Sequence, residues 1–189
     1  MRTSIYICCF TSLIFITNIY GQRKHLEKTL IENSKCTELN RYSLSKRLAF
    51  YPFSVAKSIA LISFDDPKMD ENAIPIRDKI LDMEKVKEFL ILKPNEIGDL
   101  THIIYNYGQN DKFPKYGVEN YKCYNPRNAI LFLGDKNEVV EYIEICFQCY
   151  GIKLSSDNIK TWPECSEKLN LIKNYFIKAK IRVGTNAKF

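Results

Sequence analysis

Residues Met1–Gly21 have the layout of a secretory leader, and that layout governs what the cysteines downstream can do. Arg2 gives a positive start, Ile5–Ile16 is an apolar core interrupted only by small or hydroxylated residues, and Gly21 before Gln22 offers a small residue at the cut. Even taken as far as Tyr20, the apolar run stays short of the ~20 residues that a spanning helix needs. The expectation is cleavage, a secreted or periplasmic protein, and no membrane span once the leader is gone. Cys8 and Cys9 lie inside the apolar core, too early for lipid attachment. In an oxidising compartment the remaining cysteines, Cys36, Cys123, Cys146, Cys149 and Cys165, read first as disulfides.

The chain beyond the leader suits one domain with a single sizeable core. Residues 22–53 read as an N-terminal arm and residues 54–189 as one α+β domain. Net charge is +6, yet the basic residues are interleaved with acidic ones and never cluster. Nucleic-acid binding calls for a basic stripe with a recognition motif, so solvated lysine-rich faces are the reading preferred here.

Lys57–Phe64 alternates and ends at Asp65-Asp66-Pro67, as a strand does, and the loop predicted after it runs to Arg77. Val86–Leu92 reads as a second strand. Asn95 then caps a helix whose Ile97, Leu100, Ile103, Ile104 and Tyr107 recur at helical spacing, with Gly108 placed as its C-terminal cap. Arg127–Leu133 and Val139–Cys149, separated by Gly134–Glu138, predict a β-hairpin, and Gly151–Leu154 a further short strand. Thr161-Trp162-Pro163-Glu164 matches a capping box. A final helix over Glu164–Ala179 follows, with Cys165, Leu169, Ile172, Phe176 and Ala179 on one stripe.

The cysteines admit three chemistries. Cross-links among Cys123, Cys146, Cys149 and Cys165 come first, with Cys36 as the unpaired residue. A tetrahedral metal site from Cys123, Cys146, Cys149 and Cys165 is a second, and thiol–disulfide exchange at Cys146-Phe147-Gln148-Cys149 a third. In an extended strand Cys146 and Cys149 stand roughly 10 Å apart, against the ~7 Å limit for a disulfide, so joining them requires a turn. A three-residue hairpin loop sets Cys123 opposite Cys149. A two-residue loop instead brings Arg127 opposite Cys146 and diagonal to Glu144, a polar set whose plain reading is a cross-strand ion pair.

No nucleotide, hydrolase or zinc-protease motif occurs, and no catalytic residue or cofactor is assigned. His25 and His102 read as satisfied or solvent-facing histidines.

The segment Cys123-Tyr124-Asn125-Pro126-Arg127-Asn128-Ala129-Ile130, with Tyr142–Cys149 and Cys165 in a final helix, resembles a group of uncharacterised exported bacterial proteins. The Cys-x-x-Pro-Arg and Ile-Cys-Phe-x-Cys pieces are its most specific parts, over roughly Lys57 to Thr185. The resemblance implies export and a shared hairpin core, and brings no activity with it.

The predicted fold is an α+β two-layer sandwich, a mainly antiparallel sheet of four to five strands with two helices on one face. Its function is read as an exported, non-catalytic accessory or binding role, with a cysteine-based redox or zinc-binding protein as the alternative. Export makes a direct prediction: N-terminal sequencing of protein recovered from the envelope or medium should begin at or near Gln22. An intact Met1 on a membrane-bound species would refute it.

Overall fold

The computed structural model describes residues 28, 32, 34–65, 74–109 and 123–185. The expected leader lies outside them. The elements run β1 (Thr37–Glu38), α1 (Leu44–Leu48), β2 (Ser58–Phe64), β3 (Ile76–Arg77), β4 (Ile80–Leu81), β5 (Val86–Ile91), α2 (Pro94–Asn106), β6 (Tyr107–Gly108), β7 (Asn128–Leu133), β8 (Val139–Cys146), β9 (Gly151–Leu154) and α3 (Lys168–Lys178). Five strands form one antiparallel sheet in the order β5-β2-β7-β8-β9. The expected α+β sandwich is the fold.

β2 and β7 are apolar at nearly every position because the sheet buries both of their faces. On one face Ile59, Leu61, Ile130, Phe132, Ile143 and Ile145 pack against Leu100, Ile104 and Tyr105 of α2 and Ile172, Tyr175 and Phe176 of α3. On the other, Ala60, Ile62, Phe64, Ala129, Leu131 and Leu133 meet Ile74 and the partly buried Ile76 and Leu81 of the β3–β4 hairpin. The end of the stretch expected as an exposed loop is thus packed: Ile74 is buried beneath the sheet, while residues 66–73 lie outside the described residues.

The three helix termini expected from local signals are shifted. Lys93, not Asn95, is the N-cap of α2. Pro94 fills the first helical position, where its missing N–H costs nothing, and Glu96 Oε2 accepts from the Lys93 amide at 2.7 Å. Gly108 does not cap the other end. Tyr107 leaves the helix extended, and Gly108 pairs with Thr37. α3 starts at Lys168 rather than Glu164, because the backbone before it serves other segments. Glu164 O accepts from Gln109 N at 2.8 Å, and Ser166 N donates to Ser34 O at 2.8 Å.

Within the stretch expected as an arm, the chain from Ser34 onward is bound to the body. Arg47, buried on α1, donates through Nε to Thr101 Oγ1 (3.2 Å) and through its terminal nitrogens to Tyr42 O (2.8 Å) and Gly98 O (3.4 Å). His102 Nε2 lies 2.9 Å from Glu38 Oε1, so this histidine is satisfied, as expected.

Beyond α3 the chain docks on a polar row running across three strands. Glu88, Ser63 and Asn128 are cross-strand neighbours on β5, β2 and β7. Glu88 accepts from Ser63 Oγ (2.5 Å) and from the amides of Arg182 and Val183 (3.0 Å each), while Asn128 Nδ2 donates to Val183 O at 2.9 Å. Burial alone would raise the Glu88 pKa, but the Ser63 hydroxyl, the two amides and the Arg182 charge hold it below the usual range. Gly184 is required here: its φ is +76°, and a Cβ would fall 2.3 Å from Asn128 Oδ1.

Phe176 has no exposed surface and sits between the sheet and Phe147, whose ring centroid is 5.4 Å away. Phe176→Ala should cost about 3–5 kcal/mol in chemical denaturation. A loss below about 1 kcal/mol would show that α3 is a weakly docked tail.

Candidate functional site

The polar and sulfur-bearing side chains gather in two places, one at the far end of the β7–β8 hairpin and one where α2 meets the start of α3. The first follows from the hairpin's register. Asp135, Lys136 and Asn137 form a three-residue loop, with Gly134 N donating to Glu138 O at 2.9 Å and Asn137 at φ +59°. Leu133 faces Val139, but the next pair is Phe132 with Glu141, leaving Val140 as the extra residue of a β-bulge. Beyond it the ladder has the register expected of a two-residue loop: Ala129 faces Glu144 and Asn128 faces Ile145. Both registers occur, one on each side of the bulge.

β8 ends at Cys146, the chain reverses over Phe147–Tyr150, and Gly151 of β9 pairs with Cys146. Within that reversal Cys149 is bonded to Cys123, with Cα atoms 5.7 Å apart. The expected facing of these two cysteines is present, brought about by the turn rather than by the ladder. Cys146 is the free cysteine among the described residues, 1% exposed. Its Sγ donates to Asn125 O at 3.2 Å and accepts from the Cys149 amide at 3.2 Å.

Glu144 lies two residues before Cys146 on the same face of the strand and is 3% exposed. Burial raises its carboxyl pKa, against which Tyr124 works by donating its hydroxyl to Oε1 at 2.8 Å. The Tyr124 phenol is pushed well up, first by burial and then by that carboxylate. The expected Arg127–Glu144 ion pair does not form among the described residues. Arg127 precedes the first residue of β7, and its carbonyl accepts from Phe64 N at 3.0 Å. Tyr124 takes the place given to Arg127.

The second place centres on Lys168, 3% exposed at the start of α3. Its Nζ donates to Ile103 O (3.0 Å), Ile104 O (2.9 Å) and Tyr107 O (2.5 Å), the carbonyls left open at the end of α2. Burial pushes the Lys168 pKa down to about 8, partly offset by Glu164. Beside it Cys165 is bonded to Cys36, with Cα atoms 5.0 Å apart and a sequence separation of 129. A Cβ on Gly108 would lie 2.5 Å from Pro163 Cβ, so the two segments meet at backbone distance.

These bonds correct the sequence-based assignments. Cys36 is not the leftover cysteine; β1 pairs with β6 and carries it to Cys165. The leftover is Cys146, whose neighbour Cys149 is already bonded to Cys123. The set Cys123, Cys146, Cys149 and Cys165 does not converge as a metal site, since Cys165 is tied to Cys36, and no cluster of metal-ligating side chains occurs among the described residues. No described helix is long and apolar enough to cross a membrane. No protein family, curated protein or solved structure matches the chain.

The role of Lys168 escaped the sequence reading, although a signal was present. With Ile172, Tyr175 and Phe176 it falls on the apolar stripe of α3, where a lysine must find acceptors.

Linkage gives the Lys168 site a testable sign. Its folded pKa lies below the unfolded value near 10.5. The unfolded chain therefore holds the proton more tightly, and stability rises with pH between about 8 and 10.5. In paired denaturation series the wild type should gain on Lys168→Met across that window. At pH 7 the variant should still be less stable by about 2 kcal/mol or more, because three buried carbonyls lose their donor. A flat difference would contradict the buried ammonium.

Proposed function

We propose that the chain is an exported accessory or binding domain that acts without covalent catalysis, in the cell envelope or the medium. One observation carries this reading: the buried charged side chains are taken up by partners within the protein. Lys168 holds three carbonyls, Arg47 two carbonyls and a hydroxyl, Glu141 the hydroxyls of Tyr51 and Ser155, and Glu144 that of Tyr124. A general acid or base instead keeps a proton or lone pair for the substrate. Two disulfides are what an oxidising compartment provides. The resemblance to exported bacterial proteins points the same way.

A binding surface is available at β5, one of the two edge strands of the five-stranded sheet among the described residues. Phe89 and Ile91 are 38% and 49% exposed there, on the face opposite the helices. An open strand edge with apolar side chains is a template for partner contact.

Cell fractionation with cross-linking tests the proposal. The protein should be recovered outside the cytoplasm, with Cys36–Cys165 and Cys123–Cys149 intact and in a stoichiometric cross-linked species. Phe89→Asp with Ile91→Asp should abolish that species and change unfolding stability by no more than about 1 kcal/mol. Reduced protein confined to the cytoplasm would reject the proposal. A second reading, thiol–disulfide exchange, is favoured by one observation: Cys146 lies against the two segments joined by the Cys123–Cys149 bridge.

A further inference from the structure

We propose that Cys146 exchanges with the Cys123–Cys149 bridge, moving the disulfide to Cys146–Cys149 and releasing Cys123 as a surface thiol able to open a disulfide of a partner protein. This rests on the thiol-exchange reading; its failure leaves the binding-domain reading standing, since that is carried by other residues.

The geometry joins three cysteines rather than isolating one. The Cys146 sulfur contacts both backbone segments that hold the bridge: Asn125, two residues after Cys123, and Cys149 itself. A Cys146–Cys149 bond needs a turn, and the turn is present, because Cys146 pairs with Gly151 across Phe147–Tyr150. The Cys149 amide lying 3.2 Å from the Cys146 sulfur shows how closely the two residues approach. Cys149 therefore has two partners within reach, and its bond to one leaves the other as a thiol.

Exposure sets the direction of the consequence. Cys146 and Cys149 are 1% and 4% exposed, whereas Cys123 is at the surface. In the resting arrangement the thiol is buried. After transfer both buried sulfurs are joined and the thiol is exposed.

The step balances without an external oxidant or reductant. Cys146 loses its proton, and the thiolate attacks Cys149 Sγ. The Cys149–Cys123 bond breaks, and its electron pair leaves on Cys123 Sγ, which takes up a proton. One disulfide and one thiol are present before and after. In the onward step the Cys123 thiolate attacks a partner's disulfide, a mixed disulfide forms, and the partner releases one thiol.

The test uses the full mature protein, purified without reductant and treated in its native state with an aromatic disulfide, dithiobis(nitrobenzoic acid). The reaction is quenched in acid, and the bridges are mapped after digestion at low pH. Release of about one equivalent of the aromatic thiolate is expected, with the adduct on Cys123 and a Cys146–Cys149 bond. An adduct on Cys146 with Cys123–Cys149 intact would overturn the proposal, as would no release from native protein that releases one equivalent once unfolded. Cys146→Ser removes that thiol, so it should keep the Cys123–Cys149 bridge and release no aromatic thiolate; about one equivalent released from it would show that Cys123 becomes free without Cys146 and would count against exchange. Cys123→Ser should contain a Cys146–Cys149 bond, and finding both as free thiols in protein from an oxidising compartment would show that the turn does not close. Should Cys146→Ser fail to fold, the wild-type map and Cys123→Ser decide the matter.

Discussion

A single buried ammonium, Lys168 Nζ, sets how the two long helices and the start of the described chain come together. The end of α2 leaves carbonyls without intrahelical partners, where the helix dipole is negative, and an ammonium brings three donors to them at once. With a side chain from elsewhere closing the helix, the chain needs no left-handed glycine there and leaves α2 extended. Tyr107 and Gly108 can then pair with Glu38 and Thr37, Gln109 can bond to Glu164, and Cys36 arrives beside Cys165. The burial that makes this arrangement tight also disfavours the charge, which is why the Lys168 pKa falls to about 8.

The five strands of the main sheet and the existence of both long helices were legible in the sequence because their signals are local: alternation in Lys57–Phe64, three- and four-residue spacing after Pro94, a turn-rich break at Gly134–Glu138. Helix ends were less legible. Gly108 looks like a cap and Glu164 like part of a capping box, and each loses that role to a contact from a distant part of the chain. No local pattern marks Cys36 as the partner of Cys165, since they lie 129 positions apart and contacts between distant segments, the β1–β6 pairing and the Ser166–Ser34 bond among them, bring them together. Lys168 was legible in kind, as a cation on an apolar stripe, but not its acceptors.

The hairpin shows why register defied a choice between two loop lengths. A strand's side chains alternate, so a shift of one residue reverses its faces. The three-residue loop is real, yet alone it would turn Ile143 and Ile145 away from α3. The Val140 bulge restores them to the helix face and places Glu144 and Cys146 on the other. Burial of two isoleucines outweighs one broken ladder step: each is worth roughly 1.5–3 kcal/mol, against about 0.5–1.5 kcal/mol for a hydrogen bond. The bulge thus keeps the core intact and leads Cys146 into the sulfur cluster.

The two bridges sit on unequal loops, and the inequality bears on which can exchange. On a chain-entropy account, closing the 129-residue separation of Cys36 and Cys165 stabilises by about 5 kcal/mol, against about 3.5 kcal/mol for the 26-residue separation of Cys123 and Cys149. The first bridge also anchors β1, an element of only two residues whose ladder could not hold it alone. The second lies beyond the last pair of the β7–β8 ladder, and that hairpin is already fixed by its pairing and by apolar side chains on both faces. Opening Cys123–Cys149 therefore releases the short segment before β7 while the sheet keeps its order. A free thiol in contact with the replaceable bridge, rather than with the one that anchors the fold, is the placement in which exchange and stability do not compete.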